Sequence, residues 1–293
     1  MPYPAVCAGA VPLAVRKDVT MARFLIAPQW QGSASSRAMQ LIDGAEAIAG
    51  DLPRAATIRL DALMEAGDSL GTGVQRFSAI QRMRVLVDDA LRPLVEPALI
   101  IGGDCSVSVA GIAHAARRHP GLAVVWADAH PDLHTPASSP SGAFAGMSLR
   151  SVLGGGPEVL TLEPGVVDPA RVILLGARAM DPAEDEAITT LGIRRLAADA
   201  LGEPGALAEA VRQTGADAVY VHVDLDVLDP ADLPGVKDPE PFGVGAGELV
   251  SALKQLRSEV PIVGAAITEY FPASPSDTAG DLGTILRIVG ALA

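Results

Sequence analysis

Aromatic residues are scarce in this sequence: Phe, Trp and Tyr make up 3% of 293 residues, while hydrophobic residues make up 49%. A core of that size must be assembled from Ala, Val, Leu and Ile, which suits helices packed closely on a parallel sheet. Cysteine is scarcer still. Cys7 and Cys105 stand far apart and form no disulfide framework, so a reducing, cytoplasmic setting is expected. Basic residues are outnumbered, 22 Lys and Arg against 35 Asp and Glu, for a net charge of −13. Such a chain repels phosphate backbones, which argues against a nucleic-acid partner, and it suits a site that gathers cations. No apolar run has the length of a membrane span, so no membrane partner is expected. The first twenty residues are mildly apolar, but Arg16 and Lys17 follow the apolar stretch instead of preceding it, the reverse of a secretory signal. Residues 1–20 therefore read as an upstream start or an appended leader. A single domain is expected over 21–293, opened by a strand-like run at Met21.

What the chain does have is alternation. Short, β-branched, nearly continuous apolar runs at Phe24–Ile26, Thr57–Leu60, Ala98–Ile101, Ala123–Ala127, Arg171–Leu175, Ala218–Val223 and Ile262–Ile267 read as strands covered on both faces. Amphipathic stretches between them, at Ser36–Ile48, Val74–Leu91, Ser106–Arg118, Glu184–Thr190, Ala206–Thr214, Gly247–Leu256 and Thr278–Ala291, read as helices. This β-α alternation predicts an open parallel sheet with helices on both faces. Four of the strands run into polar motifs: IGGDCS after Ile101, ADAHPD after Trp126, DLD after Val223 and TE after Ile267. Ligands of open α/β sheets bind outside the carboxyl ends of strands, so the pattern converges on one edge.

The motifs themselves carry chemistry. In an extended Asp128-Ala-His130-Pro-Asp132, alternate side chains share a face. Three such groups together stay unsatisfied without a cation, although alone the motif reads equally well as a loop with an Asx turn. Asp224 and Asp226 likewise share a face at the end of the apolar strand VYVHVDLDV. Buried as a pair they are costly unless a metal neutralises them; the other reading is a pair of solvated loop aspartates. Asp229, before Pro230, reads as a turn former. Five oxygen or imidazole ligands exceed the needs of one tetrahedral zinc and suit two ions about 3.5–4 Å apart. The carboxylate-rich set favours Mn²⁺ or Mg²⁺ over zinc.

In order and spacing, IGGDCS, WADAHPDLHTP, HVDLDVLDP and ITEY resemble the motifs of the ureohydrolase family, the arginases and agmatinases. The resemblance runs from about Phe24 to the C-terminus. It implies a three-layer α/β/α fold with an eight-stranded, mainly parallel sheet, and hydrolysis of a non-peptide C–N bond, usually in a guanidino group. It also implies two Mn²⁺ ions. Cys105, Asp128, Asp132 and Asp224 would hold one, and Asp128, His130, Asp224 and Asp226 the other. Glu269 matches the family's acid that faces the guanidinium, a charge-assisted pairing; otherwise it is a strand-end surface residue. Asp132, Glu269 and His134 are the candidate catalytic groups. Family members commonly assemble from identical chains, so a homo-oligomer is implied as well.

Two departures stand out. Cys105 replaces the family's usual His, and a soft thiolate weakens a site for a hard ion, unless Cys105 is simply a small buried residue. Ala145 replaces the family's proton-shuttling His. His134 is a partial substitute or a loop-packing residue, and loss of a general acid costs about 10²–10⁴-fold. GARAMDPAE resembles the arginase loop that meets a substrate α-amino group. Asp181 and Glu184 would bind there and Ser141 would meet the α-carboxylate. Asp181 reads equally as an N-cap before Pro182. These matches favour an arginine-like amino acid over agmatine. The cysteine form resembles a branch of the family that hydrolyses Nω-hydroxy-L-arginine in antibiotic biosynthesis. The alternatives are L-arginine itself, an agmatinase, formiminoglutamase or guanidino-acid hydrolase activity, or a degenerate, non-catalytic homologue.

Overall fold

A computed structural model describes residues 22–274 and 278–293; the leader reading of 1–20 lies outside the described residues. The chain alternates strands and helices throughout. The strands are β1 Arg23–Ala27, β2 Thr57–Arg59, β3 Ala98–Gly102, β4 Ala123–Ala127, β5 Val172–Leu175, β6 Arg194–Leu196, β7 Val219–Asp224 and β8 Ile262–Thr268. The helices are α1 Gln40–Gly50, α2 Phe77–Leu91, α3 Val107–Arg118, α4 Ser148–Val152, α5 Pro182–Leu191, α6 Ala206–Arg212, α7 Ala246–Glu259 and α8 Thr278–Leu292.

The eight strands form one sheet in the order β2-β1-β3-β8-β7-β4-β5-β6, and every neighbouring pair is parallel. The expected "mainly parallel" sheet is thus wholly parallel. In β3, β4, β5 and β7 every residue is buried, as continuous apolar runs require when helices cover both faces. Side chains alternate between two cores. Phe24, Ile26, Leu99, Ile101, Val125, Ile173 and Val221 pack beneath α1, α6, α7 and α8. Leu25, Ile100, Val124, Trp126, Leu174 and Tyr220 pack beneath α2, α3, α4 and α5.

Reading the sequence missed two elements. β6 is only Arg-Arg-Leu at the sheet edge; short, charged strands belong at edges, where they discourage further pairing, and they carry no apolar period to detect. α4 is five residues long, too short for a 3.6-residue period to register. The helix expected from Ser36 begins at Gln40, after turns over 36–39.

The order places β3, β8, β7 and β4 at the centre of the sheet. β3 and β4 are consecutive in sequence, yet β8 and β7 lie between them. The chain therefore changes its direction of growth there, which opens a crevice at the carboxyl ends of the central strands. These four strands are the ones whose ends carry the polar motifs.

Leu174 is fully buried in the second core. Leu174→Ala should lower unfolding stability by about 2–5 kcal/mol, read as a lower urea midpoint with an unchanged m-value. A negligible shift would show that this face of the sheet is loosely packed.

Candidate active site

The site grows from backbone constraints at the four strand ends. After β3, a Cβ on Gly103 would collide with the backbone carbonyl of Gln29, so this turn needs glycine. Asp104 is fully buried and knots the turn. It accepts from the Gly32 amide at 2.8 Å and the Ser106 amide at 3.1 Å, from Gln29 Nε2 at 3.0 Å, and from the Ser106 hydroxyl. The knot delivers the Cys105 thiol to the edge. After β8, the Glu269 amide donates to the Gly103 carbonyl at 2.7 Å, locking the two strand ends together.

Two acidic residues sit at left-handed φ, Asp132 at 54° and Glu269 at 62°. For a residue with a Cβ this costs about 1–2 kcal/mol, and such strain gathers at functional sites. Both turns aim a carboxylate inward: Asp132 is 5% and Glu269 4% exposed. Each keeps a buried oxygen, Asp132 Oδ2 and Glu269 Oε2, with no hydrogen-bond partner.

Asp128 follows β4 and is held by the Trp126 indole N–H at 3.0 Å and the His130 amide at 2.7 Å. Asp224 closes β7 and caps the turn Leu225–Val227, accepting from the Asp226 amide at 2.9 Å. Asp226 accepts from the Ala129 amide at 3.0 Å, and its second oxygen lies 2.9 Å from His130 Nδ1. The Cys105 thiol donates to Asp224 at 2.9 Å. Ligand atoms within 4.8 Å of one another form three overlapping groups: Asp128, His130 and Asp226; Cys105, Asp224 and Glu269; Cys105, Asp128 and His222. Asp132 lies outside these groups but lines the same cavity.

Burial dominates the electrostatics. It pushes the Asp128 carboxyl up to about 7, with Asp226 adding repulsion. It pushes Glu269 up to about 8 against the pull of Lys237. Asp132 and Asp224 are raised well above the carboxylate range by burial and by the neighbouring carboxylates. The Cys105 thiol is raised by burial and then by Asp224, Asp132 and Glu269, so the metal-free thiol is neutral. Burial opposes a charge on His130, yet Asp128 and Asp226 push it up to about 12. The same pairing keeps Asp226 below its ordinary value despite burial.

A cavity of about 220 Å³ opens above this cluster, lined by Cys105, His130, Asp132, Asp224, Asp226 and Glu269 on its floor. His134, Ser141, Ala145 and Glu184 line its wall. His134 Nε2 lies 3.6 Å from Asp181 and 3.7 Å from Glu184, so the side chain belongs to the cavity wall. Asp181 caps α5: its Oδ1 accepts the Ala183 and Glu184 amides, and Glu184 reciprocates. The N-cap reading is therefore realised, and Glu184 reaches the cavity from that capping box. Burial raises the Glu184 carboxyl, and His134 opposes it. Ser141 Oγ accepts the Ala143 amide at 3.2 Å. Asp229 forms the expected turn, accepting from Ala231 and Gly243.

Reading the sequence missed two groups. His222 stacks on Trp126 at 3.7 Å, with Nδ1 2.7 Å from Ser108 Oγ, and faces Asp128 from below. Burial holds it near 3 and so neutral. A histidine inside the apolar run VYVHVD was the available signal. Lys237 lines the cavity with its ammonium 2.6 Å from Asp238. It is one of three lysines in the chain, and that scarcity was its only signal.

A wholly parallel α/β sheet that converges carboxylates, an imidazole and a thiol on the ends of its central strands defines a hydrolase of the ureohydrolase type. The arginase family model matches residues 28–286, and the chain belongs to that family. It is 33% identical to the arginase of Bacillus caldovelox over 76% of each chain. The solved arginase of Bacillus subtilis superposes with a TM-score of 0.79 at 25% identity, covering 92% of this chain and 97% of that one. The proclavaminate amidino hydrolase of Streptomyces clavuligerus superposes at 0.69 with 27% identity, covering 92% and 89%. The protein is thus a hydrolase acting on non-peptide C–N bonds in linear amidines. Among the described residues no helix is long and apolar enough to cross a membrane.

The shifted groups set a pH dependence. Asp128, Glu269 and His130 hold protons in the folded chain that the unfolded chain releases. Their stabilising contributions are complete below the ordinary pKa values and are lost as pH rises through the folded ones. With divalent ions chelated, stability should therefore fall from about pH 4, where these carboxyls ionise in the unfolded chain, to about pH 8, where they have ionised in the folded one, with His130 extending the fall above about pH 6.5, at up to about 1.4 kcal/mol per pH unit for each proton. Melting temperatures in EDTA should show the fall, and added Mn²⁺ should flatten it. A flat profile in EDTA would mean that these carboxylates ionise without penalty.

Proposed function

We propose that this protein is a binuclear-manganese amidinohydrolase that cleaves the guanidino C–N bond of an arginine-like amino acid. Nω-Hydroxy-L-arginine is the favoured substrate, yielding hydroxyurea and L-ornithine, with L-arginine, yielding urea and L-ornithine, as its close relative. The observation that carries the reading is one cavity in which a buried carboxylate–imidazole cluster meets the open carboxylate oxygen of Glu269.

The donor set fits the metal. Asp128, Asp132, Asp224, Asp226 and Glu269 are five buried carboxylates beside His130 and Lys237, and burial at this density calls for further positive charge. Oxygen donors with a single imidazole favour a hard ion such as Mn²⁺. Cys105, Asp128, Asp132 and Asp224 would hold one ion, and Asp128, His130, Asp224 and Asp226 the other. When bound, the pair supplies water activated near neutral pH and offsets the carboxylate charge.

The chain's own groups do the rest. Glu269 Oε2 accepts from the guanidino N–H groups and turns the central carbon toward attack. Asp132 Oδ2 is free to take the proton of the attacking water. His134, held between Asp181 and Glu184, delivers a proton to the ornithine nitrogen as its bond to carbon breaks. Ser141, Glu184 and Asp181 hold the amino-acid end. Ala145 offers only a methyl group at the wall, so proton delivery rests on His134 alone. A hydroxyguanidine is less basic than a guanidine and is attacked more readily in its neutral form, which suits a site with a weakened metal position and a reduced acid. Buried, unpaired Cys105 supports a cytoplasmic setting, and the preferred substrate supports a role in antibiotic biosynthesis. Cys105 and Ala145 also favour a second reading, a family member with weak or no hydrolysis.

A guanidino panel assayed with added Mn²⁺ tests the reading. The value of kcat/KM for Nω-hydroxy-L-arginine should exceed that for L-arginine, agmatine and formiminoglutamate. Equal or reversed values would sink the substrate assignment, and a chain that binds no manganese in excess would support the non-catalytic reading. Cys105→His should raise manganese occupancy toward two per chain by elemental analysis; unchanged stoichiometry and affinity would remove position 105 from the ligand set.

A further inference from the structure

Lys237 has no role in the chemistry above, yet the backbone brings it to the guanidino recess. An antiparallel bridge pairs Val236 with Tyr270, and the Phe271 amide donates to the Gly235 carbonyl at 2.8 Å. In that register the residue after Val236 lies across from the residue before Tyr270, so Lys237 stands beside Glu269. Both line the cavity floor with Asp224. The lysine side chain is 20% exposed and its ammonium rests on Asp238. Burial opposes the charge, but Glu269, Asp238 and Asp224 more than offset it and keep the ammonium protonated. Glu269 Oε2, meanwhile, has no hydrogen-bond partner.

Two consequences follow for a ligand. A protonated guanidinium drawn in by Glu269 meets a positive charge beside it, which weakens the carboxylate's attraction for a cation. An ammonium also carries three donors, of which Asp238 takes one. The others are open to an acceptor that a plain guanidinium lacks and a hydroxyguanidine has, its hydroxyl oxygen.

We propose that Lys237 is the specificity-determining residue of this site, rejecting a cationic guanidinium and donating to the oxygen of an N-hydroxylated, weakly basic guanidine. The inference rests on Glu269 being the guanidino acceptor. Sites that hydrogen-bond a substrate hydroxyl discriminate strongly against the analogue without it, because their polar groups are then left unpaired.

The test is the ratio of kcat/KM for Nω-hydroxy-L-arginine to that for L-arginine, measured on the full chain with added Mn²⁺. Lys237→Gln should lower this ratio by about tenfold or more, through a higher KM for the hydroxylated substrate and a lower one for L-arginine. Lys237→Arg should hold it within about threefold of the unaltered protein, because the charge and donors remain. Calorimetric binding of L-citrulline, the neutral isostere of L-arginine with an acceptor oxygen, should weaken in Lys237→Gln. A purely structural role would lower both substrates together; a ratio unchanged in a folded Lys237→Gln overturns the proposal. If the unaltered protein hydrolyses neither amino acid but does hydrolyse agmatine or formiminoglutamate, the substrate reading falls first and this inference with it.

Discussion

Taking carboxylates out of water is the constraint on which the rest of this structure depends. Asp128, Asp132, Asp224, Asp226 and Glu269 are each at most 5% exposed, at distances where their charges repel. Burial, reinforced by neighbouring carboxylates, raises most of them out of the ordinary carboxylate range. A fold selected only for stability would place apolar residues there, since ionic groups gain little from burial unless well compensated. The compensation is partial: His130 binds Asp226, the Trp126 indole N–H binds Asp128, and backbone amides take up Asp128, Asp224 and Asp226. The open oxygens of Asp132 and Glu269 mark what divalent ions and a cationic or hydrogen-bonding substrate would complete.

The scaffold is shaped to hold this cluster rigidly. Its four supporting strands are neighbours at the centre of the sheet, so each strand end is braced on both sides. Asp104 ties the loop after β3 to the loop after β1, and the Glu269 amide ties the end of β8 to Gly103. Left-handed turns at Asp132 and Glu269 persist because the surroundings overdetermine them. Beneath, neutral His222 fills the space between Ser108 and Trp126 and supports Asp128 without adding charge.

Against this shared architecture the individual character of the chain lies in three side chains. The Cys105 thiol bonds to Asp224 in a place where a hard-ion site favours imidazole. Ala145 offers only a methyl group to the cavity, and His134 lines the same cavity with carboxylates 3.6 and 3.7 Å away. Lys237 introduces a positive charge beside Glu269.

The sequence by itself determined the alternating strands and helices, because strands buried on both faces must be continuous apolar runs. It also marked Asp128, His130, Asp132, Asp224, Asp226 and Glu269, because charged residues at the ends of such runs have few purely structural uses. Both signals are local in the chain. It did not show β6 or α4, which are too short to carry a period, nor decide whether Asp181 caps a helix or faces the cavity. Only the tertiary structure could decide the strand order that sets β8 and β7 between β3 and β4, the position of His222 behind Asp128, and the pairing of Val236 with Tyr270 that carries Lys237 to Glu269. Each depends on contacts between residues far apart in sequence, whose energies are fixed by burial and charge and not by neighbouring residue types.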